Sequence, residues 1–373
     1  MKKLIFILFW FCSINLSAGI DFKFSGYIYE LPAVAFSNER GSFSNLTNLR
    51  FTPELLVGEN GRLVMHYEAD IMLNKLNLLN NNRNATNRQA VDMNWSILND
   101  PNVKINHFID RLYYKQMFDF GEITVGRQNL AFGVGRIWQP TDMFNPINPA
   151  NFSKFEKDGA DAIAATVYLG NFSDLKVVYN AYDSGKKGNY AIKYRTNFKG
   201  FDYSGLLGYF DDNPAVGADF AGSLWGIGFR GEGLYYYRSN LPDSSYFRGI
   251  LGADYQFNDK LYGLIEYHYN GRGTNCKYCY VNLLPKLFRG EIQNLSTFYL
   301  AAQLSYQVHP LATVSAMNIT NLVDRSGMGT LSVNYSASES LNLMIAGAMF
   351  YGAEMTEYSY YSKAVYFLAQ WYF

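Results

Sequence analysis

An all-β chain, closed into one transmembrane antiparallel up-and-down β-barrel of about eighteen strands, is the fold this sequence predicts. Three observations carry it. Short segments alternate apolar and polar residues almost from end to end. The connections between them alternate as well, short after even-numbered segments and mostly long after odd-numbered ones. Beyond residue 19 no run reaches the roughly 18 consecutive apolar residues of a membrane helix.

The first residues read MKKLIFILFWFCSINLSAG, with Lys2 and Lys3 ahead of the apolar stretch Leu4 to Cys12 and small residues at Ser17, Ala18 and Gly19. This is the pattern of a cleaved secretory signal peptide, residues 1–19, cut after Ala18 or Gly19. Residues 20–373 then form a single barrel domain. Its charge is balanced: 32 Lys and Arg stand against 32 Asp and Glu, and losing Lys2 and Lys3 leaves the mature chain slightly negative. That excludes a nucleic-acid binder, which needs a basic face. Only Cys276 and Cys279 remain after Cys12 leaves, so no disulfide scaffold exists.

Taken in order, the strands are expected near 21–31, 45–57, 62–73, 104–118, 122–132, 160–169, 174–183, 189–199 and 201–211. They continue near 217–230, 233–239, 246–257, 260–270, 295–308, 311–320, 328–337, 340–351 and 360–373. Sixteen strands result if the region from Gly226 to Tyr237 is divided differently. Leu300, Ala302, Leu304, Tyr306 and Val308 share one face, and Gln303, Ser305 and Gln307 the other. In a barrel the apolar face meets lipid and the polar face lines the lumen. Turns are expected at 58–61, 119–121, 170–173, Gly200, Gly231-Glu232-Gly233, 258–259, 309–310 and 338–339. Long loops are expected at 74–103, 133–159 and 271–294. The Asn-rich 74–103 reads as a mobile or partly helical surface loop. A soluble sandwich has no reason to keep the parity of short and long connections.

Inward positions carry charge: Arg50 and Glu54, then His66, Glu68 and Asp70, then Arg111 and Lys115. Lys193, Arg195, Arg248, Asp254, Glu266 and His268 follow on later strands. Charges facing lipid cost about 2–4 kcal/mol at the midplane for Arg or Lys, so the lumen is their place. Some of these residues serve only as a hydrated, salt-bridged wall. Together they predict a wet lumen of mixed sign.

The stretch Gly121 to Pro149 is a strand feeding a loop rich in glycine, proline and aromatic residues. Gly133 and Gly135 permit turns closed to other residues. Pro140, Pro146 and Pro149 stiffen the loop. Thr141 or Asp142 is a candidate cap for a short helical turn. Trp138, Met143 and Phe144 are candidate anchors to the barrel wall. Arg127, Arg136, Asp142, Lys154 and Lys157 are candidates for a pore field, because rings of charge set ion preference. Arg127 shares parity with lipid-facing Ile123 and Val125, so either Gly126 marks a bulge or Arg127 snorkels. A loop folded outward as a lid is the alternative. Cys276 and Cys279 are candidates for a local disulfide.

Three resemblances follow from these residues. Phe373, closing the alternating strand from Lys363, resembles the terminal signature of bacterial outer-membrane barrels, which implies recognition by the barrel assembly machinery. The order of the loops resembles general porins, in which the third loop folds inward and narrows the channel. Gly126-Arg127-Gln128 with the segment from Gly133 to Pro149 is similar to a segment of porin-like outer-membrane proteins. These imply a bacterial outer-membrane channel for passive diffusion of small hydrophilic solutes, without cofactor or metal. A homotrimer and a monomer both fit such a barrel. The rival expectations are a structural or adhesive barrel with a blocked lumen and, behind it, a barrel-embedded hydrolase using His66 or His268. Barrel enzymes resemble smaller barrels, so no enzyme is expected.

Overall fold

Alternation along the chain becomes a single continuous sheet. The computed structural model describes residues 20–37, 40–74, 88–144, 156–238, 245–284, 287 and 292–373. The expected leader, Pro146, Pro149 and Lys154 lie outside the described residues.

The first strands are β1 (Ile20–Lys23), β2 (Gly26–Ser37), β3 (Arg40–Phe51), β4 (Glu54–Val57) and β5 (Gly61–Leu73). Then come β6 (Asn94–Asn99), β7 (Val103–Phe118), β8 (Gly121–Gln128), β9 (Ala160–Tyr168) and β10 (Asp174–Tyr182). The next are β11 (Lys187–Phe198), β12 (Phe201–Phe210), β13 (Asn213–Leu224), β14 (Ile227–Tyr236), β15 (Tyr246–Gln256) and β16 (Leu261–Asn270). Last are β17 (Phe298–His309), β18 (Ala312–Asn321), β19 (Gly327–Ser338), β20 (Leu341–Tyr351) and β21 (Lys363–Tyr372). β1 and β2 form one interrupted wall strand, β3 and β4 another, and β6 pairs only with β7, which leaves 18 strands in the wall. All neighbours are antiparallel, and β2 pairs with β21 to close the ring. Gly26 and Phe373 exchange two backbone hydrogen bonds of 3.0 Å at that seam. The Phe373 ring packs beside Phe24, Phe51 and Trp371 there.

Closure has a physical cause. An apolar solvent offers no partner for backbone N–H and C=O groups, so a spanning sheet must have no edge. The outer face fits that solvent: Leu304, Leu331, Ile345, Val365 and Phe367 are all more than 40% exposed. The opposite parity is buried or polar, as along β16, where Leu264, Glu266, His268 and Asn270 are buried and Ile265 and Tyr267 are not.

Several boundaries differ from the sequence expectation. β2 and β3 reach further than expected, to Ser37 and from Arg40. β8 ends at Gln128 rather than near 132, because the chain leaves the wall there. The turn expected at Gly231 to Gly233 is absent; Trp225 and Gly226, with φ of 54° and 79°, form the two-residue turn between β13 and β14. Both positions need positive φ in such a hairpin, and a bulky Trp hides the signal. The Asn-rich stretch expected to be mobile or partly helical carries a strand, β6, against residues 104–108 of β7. Its turn is set by Asp100, whose carboxylate accepts the Asn102 N–H at 3.0 Å.

Gly126 has φ of +121°, and a Cβ there would lie 2.2 Å from the Leu112 carbonyl oxygen and 2.9 Å from Tyr113 Cα. Gly126→Val therefore strains the backbone by about 1–3 kcal/mol and adds a clash. It is expected to lower the heat-modifiable folded fraction and the guanidinium midpoint in vesicles. Gly58, at φ +62° with open space around it, is expected to accept Asn with no measurable change. Equal behaviour of the two variants would refute this account of Gly126.

Candidate functional site

Past Gln128 the chain turns into the barrel, and two carboxylates of the wall receive it. Glu232 on β14 accepts the N–H groups of Val134 (2.5 Å), Gly135 (3.2 Å) and Thr141 (3.0 Å). Glu266 on β16 accepts those of Arg136 (2.9 Å), Ile137 (3.1 Å) and Trp138 (2.8 Å). Both glutamates are inward by strand parity and almost wholly buried. Charged acceptors bind N–H groups more strongly than neutral ones, and here each serves three. The loop must be tight for this. Gly133 has φ of +93°, and a Cβ on Gly135 would lie 1.8 Å from the Trp138 carbonyl oxygen.

Aromatic residues complete the docking. Trp138 is fully buried, stacked on His268 at 4.9 Å and tilted against Tyr299 at 6.0 Å. Its indole N–H donates to Asn294 Oδ1 at 2.8 Å. Phe144 packs edge-on against Phe132 and Phe210, at 5.3 and 5.1 Å. Pro140 is buried with them. The expected helical cap at Thr141 or Asp142 is a turn instead, with the Asp142 N–H on the Gln139 carbonyl at 3.1 Å. Asp142, fully buried, meets the Lys157 ammonium, which also reaches Gln139. The Arg136 side chain stays exposed.

The charged wall residues fall into two groups. Arg50 joins Glu68 (3.0 Å), Asp110 (3.3 Å) and Glu156 (2.9 Å), and its Nη2 lies 2.6 Å from His66 Nδ1. Arg111 pairs with Asp110 at 2.7 Å and donates to the Lys157 carbonyl. Asp110 and Arg111 both point inward because the register between β5 and β7 shifts at His66 and Tyr67. The second group is scattered along the wall: Glu54 with Arg62 (3.3 Å), Lys115 with Glu122 (2.5 Å) and Arg195 with Asp174 (2.6 Å) towards the short-turn end, and Lys193 with Asp219 (2.8 Å) at mid-strand. The fold thus brings Arg50, Arg111 and Lys157 together, and Glu266 to the inner loop. It leaves Glu54, Lys115 and Arg195 apart from them, whereas Lys193 lies over the Phe132 ring at 5.5 Å, against the loop.

Arg127 neither sits at a bulge nor snorkels. The register of β8 with β7 and β9 runs unbroken through Gly126. The positive φ of Gly126 turns Arg127 into the gap above the end of β8, where it is 2% exposed. It donates to Asp161 (2.7 and 3.0 Å) and to the carbonyls of Ile109 (3.1 Å) and Val91. Asp161 in turn accepts the N–H groups of Ala90 and Val91 at 2.8 and 2.9 Å. Arg88 binds Asp211 at 2.6 Å, with Arg88 lowering the Asp211 carboxyl against the opposing effect of burial.

At the long-loop end Glu357 is buried. It accepts the Leu295 N–H (2.9 Å), the Tyr299 hydroxyl (2.5 Å) and the Asn321 amide (2.9 Å). Burial pushes its carboxyl up to about 7, with Asp324 adding to the rise and these donors opposing it. Cys276 and Cys279 are joined in a disulfide next to the 3-10 turn at Lys277–Asn282. Tyr280 of that turn donates to Asp324 at 3.1 Å.

Glu232, Asp110, Asp161, Asn294 and Glu357 were not singled out by sequence. Glu232 was assigned to a turn, and recognising Trp225-Gly226 as the hairpin would have put it on the inner face. The others depend on contacts between distant segments. His66 and His268 each have a structural partner, Arg50 and Trp138.

No known protein family matches the sequence, and no curated protein is similar to it. Solved structures are similar in fold. OccAB1 of Acinetobacter baumannii superposes with a TM-score of 0.59 at 9% identity, over 97% of this chain and 99% of its own. OccD3 (OpdP) of Pseudomonas aeruginosa gives 0.57 at 9%, over 95% and 92%. OpdK of Pseudomonas aeruginosa with vanillate gives 0.58 at 8%, over 95% and 98%. The fold is that of outer-membrane barrel proteins, end to end.

Two outcomes are expected of this site. Glu266→Leu leaves three inner N–H groups without acceptors, at about 1–3 kcal/mol each. Exchange protection at Arg136 to Trp138 is expected to fall while the wall strands keep theirs; unchanged protection would show that Glu266 does not hold the loop. For Glu357, a carboxyl raised in the folded state favours docking fully below its ordinary value near 4.5 and loses that contribution as pH rises through about 7. After correction for intrinsic exchange, Leu295 is expected to be better protected at pH 5 than at pH 8, and Glu357→Gln to flatten the difference.

Proposed function

We propose that this chain is an outer-membrane channel through which small hydrophilic solutes diffuse passively, narrowed by the loop that begins after Gln128. The carrying observation is the pair Glu232 and Glu266, which together take six backbone N–H groups of residues 134–141 on the inner wall. A loop so held has a fixed place in the cross-section. Short turns would lie on the periplasmic side and long loops outside. Arg50, Arg111, Arg136 and Lys157 stand against Glu68, Asp70, Asp110 and Asp142 near this level, so the reading includes no strong preference for anions or cations. Lys154 belongs to the same proposal by its position in the loop. The likeness to channel structures supports a non-enzymatic role. Phe373, at the sealed seam, suits the role of assembly signal.

A second reading has its own support. Trp138, Tyr299, Ile319, Met328, Phe350 and Tyr358 form one apolar cluster on the inner side, and such a cluster takes space from a pore. That reading is a structural or adhesive barrel with a blocked lumen.

Planar-bilayer recording separates the two. Folded protein is expected to give discrete conductance steps, and deletion of Ile137 to Pro149 to raise them roughly twofold or more, as when a constriction sets the resistance. Folded protein that passes no current would favour the blocked barrel. Steps that deletion leaves unaltered would place the constriction elsewhere.

A further inference from the structure

Among the described residues, Glu30 is the one charged side chain standing uncovered in the middle of a strand on the outer face. It is the fifth residue of β2, outward with Ile28, Pro32, Val34 and Phe36, whereas Tyr29, Leu31, Ala33 and Ala35 are buried. Thr47 and Asn45 on β3 share that outward parity, opposite Glu30 and Pro32. The Glu30 carboxylate accepts the Thr47 hydroxyl at 2.9 Å and the Asn45 amide at 2.7 Å. Around them the surface is apolar: Phe36, Phe43, Ile71, Val365, Phe367 and Trp371 are all at least 40% exposed. Hydrocarbon supplies no hydrogen-bond partner and penalises an ionised group, so a bare patch of this kind is unfavourable on a lipid face.

An independent irregularity adjoins it. The ladder between β2 and β21 passes from Glu30↔Ala369 directly to Ala33↔Tyr366. Pro32 lies in the interruption and has no N–H to donate, and proline in a sheet belongs at edges and irregular positions. Polar side chains and an incomplete ladder thus meet beside the closing seam. The three aromatic residues Trp371, Phe373 and Phe51 mark one end of the patch, and Phe36 and Phe43 the other, so it lies within the apolar band.

We propose that a second copy of this chain seats on this face, about a two-fold axis normal to the membrane and passing between β2 and β3. The patch is self-complementary in that arrangement. Within each copy Thr47 and Asn45 already donate to Glu30, whose carboxylate keeps further lone pairs, while the second Asn45 N–H makes only a 3.4 Å contact with Thr47, so rotation sets each copy's carboxylate towards the other's Asn45 amide. Closed two-fold contacts require this self-matching surface. The apolar residues around it then form a dry rim that shields the polar centre from lipid. This is independent of whether the lumen conducts.

Cysteine cross-linking in native outer membranes tests it, with the full chain and its Cys276–Cys279 disulfide intact. Thr47→Cys, treated with a short bis-maleimide, is expected to give a covalent species of twice the chain mass. Leu304→Cys, outward on the far side of β17, is the control. Heat-modifiable migration confirms that each variant is folded. Glu30→Leu, which suits lipid better and removes the acceptor, is expected to weaken the pair at least about tenfold in native mass measurements in mild detergent. Folded Thr47→Cys protein that gives no more dimer than the control overturns the proposal. So does an adduct with a different protein, or wild-type and Glu30→Leu chains that are equally monomeric.

Discussion

Everything in this structure follows from the requirement that each backbone N–H and C=O find a partner inside the protein. In hydrocarbon no solvent supplies one, and the sheet satisfies the demand by closing β2 on β21. Closure dictates alternation, because each strand then has one face to lipid and one to the interior. It also dictates where ions go. Arg50, Glu68, Asp110 and Arg111 pair with each other inside, at 2.7–3.3 Å, instead of facing the bilayer. The inner loop answers the same requirement by other means. Once the chain leaves the ladder at Gln128 its N–H groups lose their strand partners, and wall carboxylates replace them.

The parts of the fold that were legible in the sequence are those set by local pattern. Parity of apolar residues located nearly every wall strand, and the rhythm of connection lengths gave the ring its size. Errors arose where a turn lacked its usual residues. Trp225 at positive φ does not look like a hairpin residue, so Gly231-Glu232-Gly233 took the role, and Glu232 was lost from the inner face. β6 was hidden by the asparagines around it.

The site was less legible, for a physical reason. Glu266 was recognisable as inward, but that it would accept three loop N–H groups depends on a segment 128 to 130 residues away. Arg127 was a conflict between parity and charge, and no rule of pattern resolves it. The solution is tertiary: residues 88–93 cover it, and Asp161 pairs with it. Glu357 gave no sequence signal, since its burial comes from distant segments that meet around it, with Leu295, Tyr299, Asn321 and Asp324 as its partners.

The setting of Arg127 bears on how the barrel is built. Where β8 stops, the wall is completed by the backbone of residues 88–93, riveted by one guanidinium to Ile109, Val91 and Asp161. That segment is therefore masonry, although its sequence reads as loop. β8 and β9 cannot be sealed towards the long-loop end until a stretch made some thirty residues earlier has folded back beside β7. A transplant of loops between barrels of this shape would have to carry Gly126, Arg127 and Asp161 along with residues 88–93, or leave a hole in the wall.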